Sequence, residues 1–229
     1  MSGIQKREWL FKMENKMGMF IVFEGIDGSG KGTQLINSAD YIKSIDKYRD
    51  IILTHEPWKS AEIKRKLKED KDSYSDAHGM ARLYIEDRVA HSEQINARLN
   101  EGYFVLCDRY KMSTCAYQWT QGVNLYKLFK LHEDSEIITP DLTLFIDIPA
   151  EIAQKRRIAR GGEKEKFEDW KFQKDLVSHY SSLINRDDCY ELFGNIAVMN
   201  GRGDANEVFK RVKGVFDSAY SKWIDEQNS

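Results

Sequence analysis

The sequence predicts an α/β fold in which a five-stranded parallel sheet carries helices on both faces. Two observations lead to it. Strand, loop and helix alternate along the chain, the order of a sheet wound by crossover helices. The strands themselves are near-continuous apolar runs, Met19-Phe20-Ile21-Val22-Phe23 being the clearest, as in strands covered on both sides.

Taken in order, the first strand ends at a glycine-rich loop, and a helix from Thr33 to about Ser44 follows. Ile51-Ile52-Leu53 is a short second strand with Thr54-His55-Glu56-Pro57 at its carboxyl end. A charged helix over about Ala61 to Lys68 and a polar loop, 71–75, lead to a long helix from about Asp76 to Asn100. Along it Met80, Leu83, Tyr84, Ile95 and Leu99 recur at three- and four-residue steps. Arg88 and His91 share the side of Tyr84, so polar groups interrupt an inward-facing stripe. Tyr103 to Cys107 is the third strand, closing on Asp108-Arg109-Tyr110 before a helical stretch with Ser113, Thr114, Tyr117 and Gln118. From there to Thr139 no element is assigned. Pro140-Asp141 opens the fourth strand, Leu142 to Asp147, and Pro149 starts a helix because its fixed φ suits a first helical turn. Gly161-Gly162 breaks that helix. A helix from about Lys166 to Asn185, a fifth strand near Ile196 to Met199 and a last helix over about Asp204 to Trp223 complete the chain, without repeats or a long linker.

At 229 residues the chain fits one domain, able to bury roughly 70–75% of the surface its unfolded form exposes. That domain is assigned to 19–229. Residues 1–18 read as a loosely attached extension, or as a matter of start-site choice given Met13, Met17 and Met19, and they lack the apolar core of a signal peptide. With 41% hydrophobic and 31% charged residues the composition is that of a soluble globular protein. A net charge of −2 argues against a nucleic-acid partner bound by phosphate neutralisation, and no apolar run approaches a membrane span. Cys107, Cys115 and Cys189 are too scattered for a metal site and odd in number, which points to reduced thiols and a cytoplasmic setting.

The chemistry gathers where strands end, since open parallel sheets bind ligands beyond their carboxyl ends. Glu24-Gly25-Ile26-Asp27-Gly28-Ser29-Gly30-Lys31-Gly32-Thr33 is a phosphate-binding loop. Its glycines turn backbone N–H groups toward one centre, the helix that follows adds its dipole, and Lys31 supplies a cation for the β- and γ-phosphates. ATP-binding residues are therefore Gly25, Gly28, Ser29, Gly30, Lys31, Gly32 and Thr33. Gly32 stands where the general motif has a Ser or Thr for Mg²⁺; the order Gly-Lys-Gly-Thr resembles adenylate kinases. Asp108, after an apolar strand, is the candidate to hold Mg²⁺ or its waters, and Arg109 can clamp a phosphate with two N–H groups. A structural ion pair is the bland alternative for Asp108 and Arg109; the phosphate loop in the same chain favours a functional role.

Phe23-Glu24-Gly25-Ile26-Asp27-Gly28-Ser29-Gly30-Lys31, Leu106-Cys107-Asp108-Arg109-Tyr110 with Ser113 and Ala116-Tyr117-Gln118, Pro140 to Asp147, and Phe167-Glu168 together resemble the thymidylate kinases, within the nucleoside monophosphate kinase branch of phosphate-loop enzymes. The likeness covers about residues 19 to 212. It implies a three-layer phosphate-loop kinase fold with a mobile lid over about 156–168, ATP and dTMP as substrates, Mg²⁺ as cofactor, and a homodimer. It also implies transfer of the ATP γ-phosphoryl group to dTMP, giving dTDP and ADP on the route to dTTP. By the same resemblance Asp27 takes the deoxyribose 3′-hydroxyl, Tyr84 stacks on the base, and Arg88, about 6 Å further along the helix, reaches the base edge. Thr114 also faces the base edge, Tyr117 disfavours a ribose 2′-hydroxyl, and Glu168 approaches the nucleotide sugar, with Glu165 a poorer match. Arg156, Arg157, Arg160, Lys164 and Lys166 could supply the lid's catalytic cation, Arg160 first, beside Lys31 and Arg109. Most of these lid charges are otherwise solvated helix residues.

His55 departs from the pattern, because relatives with a Glu-Pro loop usually carry Arg there. It keeps other acceptors open, dUMP, dGMP or AMP among them. A nucleotide switch is an alternative from another class: Asp76-Ala77-His78-Gly79 has Asp-x-x-Gly spacing, but it follows a polar loop instead of a strand, and no Asn-Lys-x-Asp run accompanies it. His91 reads as an interior histidine without a catalytic part.

Overall fold

The computed structural model of the chain describes residues 17–69, 76–161 and 170–227. Five parallel strands lie in the order β2-β3-β1-β4-β5, where β1 is Phe20–Glu24, β2 Ile51–His55, β3 Phe104–Asp108, β4 Leu142–Asp147 and β5 Asn195–Asn200. β1 is central and wholly buried; the edge strands β2 and β5 are half-exposed. Alternation along β1 assigns its residues to two faces. Ile21 and Phe23 pack with Leu35 and Ile42 of α1 (Lys31–Ile45) and with Val208, Val212 and Phe216 of α9 (Ala205–Gln227). Phe20 and Val22 pack on the opposite side with Ile85, Ile95 and Leu99 of α3 (Ala77–Asn100).

The remaining helices are α2 (Ala61–Glu69), α4 (Lys111–Thr120), α5 (Leu125–Glu133), α6 (Ala150–Ala159), α7 (Trp170–Ile184) and α8 (Tyr190–Phe193). A third cluster joins α4, α5 and α7 to the end of the sheet through Met112, Cys115, Leu128, Phe145, Leu176 and Tyr180. Among the described residues no helix is long and apolar enough to cross a membrane.

The predicted sheet and its element order stand, and the boundaries shift by a few residues. Helix α1 begins at Lys31, two residues early, because Gly30 adopts a left-handed conformation at its start. Pro149 is the residue before α6, whose helix runs from Ala150. Helix α5 was not expected. Asn124 caps it by accepting from the Lys127 N–H, and Leu125, Leu128, Phe129 and His132 bury one face at helical spacing. Asp76, the acid of the Asp-x-x-Gly spacing, is the N-cap of α3 and accepts from Gly79 N at 2.9 Å. The spacing weighed for a nucleotide switch is thus a helix cap.

Lys111 opens α4 with only 3% exposure and donates to Ile137 O at 3.2 Å and Thr139 Oγ1 at 3.3 Å. Burial, with the Arg88 charge adding to it, pushes its pKa down to about 7. Between that value and the ordinary lysine range the unfolded chain holds a proton that the folded chain has shed, so stability from this group rises with pH through that window. Urea denaturation of Lys111→Met and wild type should therefore show a stability difference, variant minus wild type, that falls as pH is raised from about 6 to about 9.5. A difference constant across that range would show that Lys111 stays charged inside the fold.

Candidate active site

The phosphate loop is held between two neighbours that leave no room for side chains. A Cβ on Gly25 would stand 2.7 Å from Ile146 O at the end of β4, and one on Gly28 would stand 2.6 Å from Ala153 O in α6. Both glycines have positive φ, 139° and 88°. Lys31, 6% exposed, reaches back over the loop with Nζ 3.3 Å from Ile26 O and 3.8 Å from Asp27 Oδ1. Burial lowers its pKa and the Arg109 charge adds to that, while Asp27, Asp108 and Glu24 favour the ammonium. Ser29 Oγ is buried and has no hydrogen-bond partner among the described residues. Gly32 is exposed and Thr33 half-buried on α1.

Arg109 is built into the same cleft by a less obvious device. Glu24, fully buried at the end of β1, accepts from Tyr110 N at 2.8 Å and Ser113 N at 3.0 Å, and so caps α4 from another element. Ser113 Oγ donates to Glu24 Oε2 at 2.6 Å and accepts from Arg109 Nη1 at 3.1 Å; Tyr180 Oη lies 3.0 Å from Ser113 Oγ. Burial raises the Glu24 pKa, and these donors together with the Arg109 charge work against the rise. Arg109 itself has φ of 69°, unusual for a residue with a side chain. Its Nη2 pairs with Asp27 Oδ1 and lies 3.2 Å from Tyr117 Oη, while Tyr117 Oη donates to Asp27 Oδ2 at 2.9 Å. Burial alone would raise the Asp27 pKa, but Arg109, Lys31 and Tyr117 hold the carboxyl well below the usual carboxylate range.

Asp108 ends β3 opposite His55 of β2, and His55 is exposed. Asp108 Oδ1 is buried without a partner among the described residues, and Oδ2 lies 3.8 Å from where a Gly32 Cβ would stand. A carboxylate beside the phosphate loop with one oxygen left unpaired fits a cation there. Among the described residues no cluster of three His, Cys, Asp or Glu could hold a metal without help from a ligand.

On the α3 side, half-buried Tyr84 is surrounded by the charges of Arg109, Arg88, Glu56 and Asp27, and burial pushes its pKa up to about 12. Arg88, one helical turn on from Tyr84, is buried at 1% exposure. Nε donates to Glu56 Oε2 at 2.6 Å, Nη1 faces His132 Nε2 at 2.9 Å, and Nη2 donates to Thr114 Oγ1 at 2.8 Å and Tyr110 O at 3.2 Å. Thr114 is therefore bound to Arg88. Glu56 also holds His91 Nδ1 at 3.1 Å, whose Nε2 is 2.9 Å from Thr54 Oγ1 and whose ring stacks on Trp58. His91 is an interior histidine, as expected.

Of the lid residues, Arg156 donates to Ser29 O at 3.0 Å and to Gly201 O and Gly203 O at 2.9 Å, and Arg157 donates to Asp27 O at 2.8 Å. Arg160 is exposed at the end of α6. Gly162, Lys164, Glu165, Lys166 and Glu168 lie outside the described residues. The structure thus brings Lys31, Asp27, Arg109, Tyr117, Tyr84, Asp108 and the loop glycines to one cleft, and it turns Arg156 and Arg157 toward that loop ahead of Arg160.

A family model described as thymidylate kinase matches residues 23–193, which include the phosphate loop, the Asp108-Arg109 turn and α7. The chain belongs to the thymidylate kinase family. Similar relatives include a thymidylate kinase of Sulfurihydrogenibium sp., 35% identical over 201 residues, covering 85% of this chain and 94% of that one. One from Desulfotalea psychrophila is 35% identical over 178 residues, 75% and 84% of the two chains. One from Caldicellulosiruptor saccharolyticus is 32% identical over 212 residues, 90% and 98% of the two.

Sequence reasoning missed Tyr180 and His132 as parts of this site's frame; it placed Glu24 in the phosphate loop, Glu56 at a strand end and Arg157 among the lid cations, without their buried partners. Glu24 was visible as a charge ending an apolar strand, a position that burial makes costly without partners. The depressed Asp27 carboxyl gives a stability that is fully present above the ordinary carboxylate range and is lost as pH falls through and below it. The stability lost in Asp27→Asn, followed by urea denaturation, should be largest near neutral pH and shrink as pH is lowered below about 4. A gap that widens in acid would show that Asp27 is not ion-paired in the fold.

Proposed function

We propose that the chain transfers the γ-phosphoryl group of ATP to the 5′-phosphate of dTMP, with ADP and dTDP as products, in a cytoplasmic homodimer. The observation that carries this reading is the convergence of Lys31, Arg109, Asp27 and Tyr117 on one cleft whose mouth carries Tyr84. The homodimer rests on the family resemblance. The cytoplasmic setting rests on cysteines that are buried and unpaired.

The acceptor phosphate is already an oxyanion, so an oxygen of dTMP attacks the γ-phosphorus and the bond to the ADP oxygen breaks without any protein nucleophile. The protein's part is alignment and charge. The loop N–H groups and Lys31 take the ATP phosphates, and Arg109 takes the acceptor phosphate or the oxygens shared during transfer. Asp27, with Tyr117 beside it, takes the 3′-hydroxyl, and a side chain there excludes a 2′-hydroxyl. Tyr84 covers the base face. Asp108 would hold Mg²⁺ directly or through water, with Gly32 leaving room where other phosphate loops place a hydroxyl. When bound, that ion offsets charge on the β- and γ-oxygens. Arg156 and Arg157 tie α6 to the loop, which leaves Arg160 and the rest of the lid to close over the phosphates and keep water out.

ADP release with Mg-ATP and dTMP, dUMP, dGMP, dCMP or AMP supplied singly should be fastest with dTMP. Faster release with another acceptor would overturn the substrate assignment. Lys31→Ala should lower turnover about a hundredfold or more with an unchanged urea midpoint, and near-normal turnover would remove the phosphate loop from the mechanism.

A further inference from the structure

We propose that His132 is a positioning residue for base selection, accepting one N–H of Arg88 so that the guanidinium presents a fixed remaining donor to the base. The inference rests on the reading of Arg88 as the residue that meets the base edge, and it adds a residue from α5, a helix that was not expected from the sequence.

The ring has one usable tautomer. His132 Nδ1 lies 2.8 Å from Leu128 O, the carbonyl one turn earlier in α5, and a carbonyl can only accept. Nδ1 therefore carries the proton and Nε2 is a bare acceptor, 2.9 Å from Arg88 Nη1. Burial, with the charges of Arg88 and Lys111 facing the ring, holds the His132 pKa well below its ordinary value, so the ring stays neutral. Cys115, 3.9 Å from Nδ1, is the other titratable neighbour, and its thiol is pushed above its usual range by burial. A proton on Nε2 would set one N–H against another.

Four groups from four places then fix the guanidinium: Glu56 after β2, His132 in α5, the Tyr110 carbonyl at the start of α4, and Thr114 within α4. Of its five N–H donors, Nε uses one and Nη2 two, and His132 takes one of the pair on Nη1. The second Nη1 hydrogen has no acceptor among the described residues. A fixed N–H donor suits the O4 carbonyl of thymine and opposes the N4 amino group of cytosine, which is itself a donor. Sites that meet a base with a fixed polar group discriminate strongly, because the wrong partner leaves that group unpaired. Glu56 neutralises Arg88; His132, being neutral, contributes direction only.

The test is steady-state kinetics with dTMP and dCMP on wild type, His132→Leu, His132→Gln and Arg88→Met. His132→Gln keeps an acceptor oxygen near the Nε2 position. His132→Leu should raise KM for dTMP roughly tenfold or more with kcat changed little, and should narrow the dTMP-to-dCMP preference. His132→Gln should restore most of both. A folded His132→Leu with unchanged KM and preference, while Arg88→Met loses them, overturns the positioning role alone. If Arg88→Met changes neither, the base-edge reading fails and the inference falls with it. Should His132→Leu not fold, ¹⁵N NMR of the wild-type ring decides the matter. A neutral ring protonated at Nδ1 with and without dTMP supports the inference, and protonation at Nε2 overturns it.

Discussion

The buried carboxylate of Glu24 is the constraint on which the cleft depends. It leaves β1 just before the phosphate loop and satisfies the first N–H groups of α4, so one residue ties that loop to the start of α4. A carboxylate without water is stable only where donors replace its hydration, and Tyr110, Ser113 and Tyr180 supply them. Arg109 lies next to this cap, and its positive φ turns the side chain back over the loop instead of out along the strand. The register of β1 against β3 does the rest by placing Phe23 beside Asp108.

A second buried carboxylate repeats the principle on the base side. Glu56 stands between Arg88 and His91, and each of those reaches a further partner, His132 and Thr54. Charged groups with so little exposure are held in place by their partners more than by the surrounding apolar packing. The loop after β2 gains support from Asp87, which accepts from Lys59 N and Ser60 N. The acceptor half of the cleft is therefore framed by polar contacts, whereas the sheet beneath it is framed by Phe20, Ile21, Val22 and Phe23.

That contrast explains what was legible in the sequence. Apolar runs and glycine spacing are local signals, so the strands, their order and the phosphate loop could be read directly. Lys31 and Arg109 were found because they lie in short motifs at strand ends, whereas Asp27 and Tyr117 were named through the resemblance to the family. Glu24, Glu56 and His132 act through partners 86, 32 and 44 residues away, and no local pattern records such pairings. Helix α5 is a different case. Its cap at Asn124 and its Leu125, Leu128, Phe129, His132 spacing were present, but the stripe is short and includes the polar His132. The depth of Arg88 was not legible for a related reason: helical periodicity gives the face on which a residue lies and says nothing of how deep its head group goes.

The pairing of Asp27 with Arg109 has a consequence for which molecules the cleft rewards. The strongest fixed cation already faces an anion, and Tyr117 and Lys31 approach the same carboxylate. Any bare anion arriving there must share or displace a partner, so its electrostatic gain is only the difference between two similar pairings. On this reading inorganic phosphate and pyrophosphate, which bring no hydroxyl for Asp27, gain little there. If Asp27 takes the sugar hydroxyl as proposed, a ligand gains ground by bringing that hydroxyl in the same event, which makes occupancy of this cleft depend on the sugar as much as on the charge.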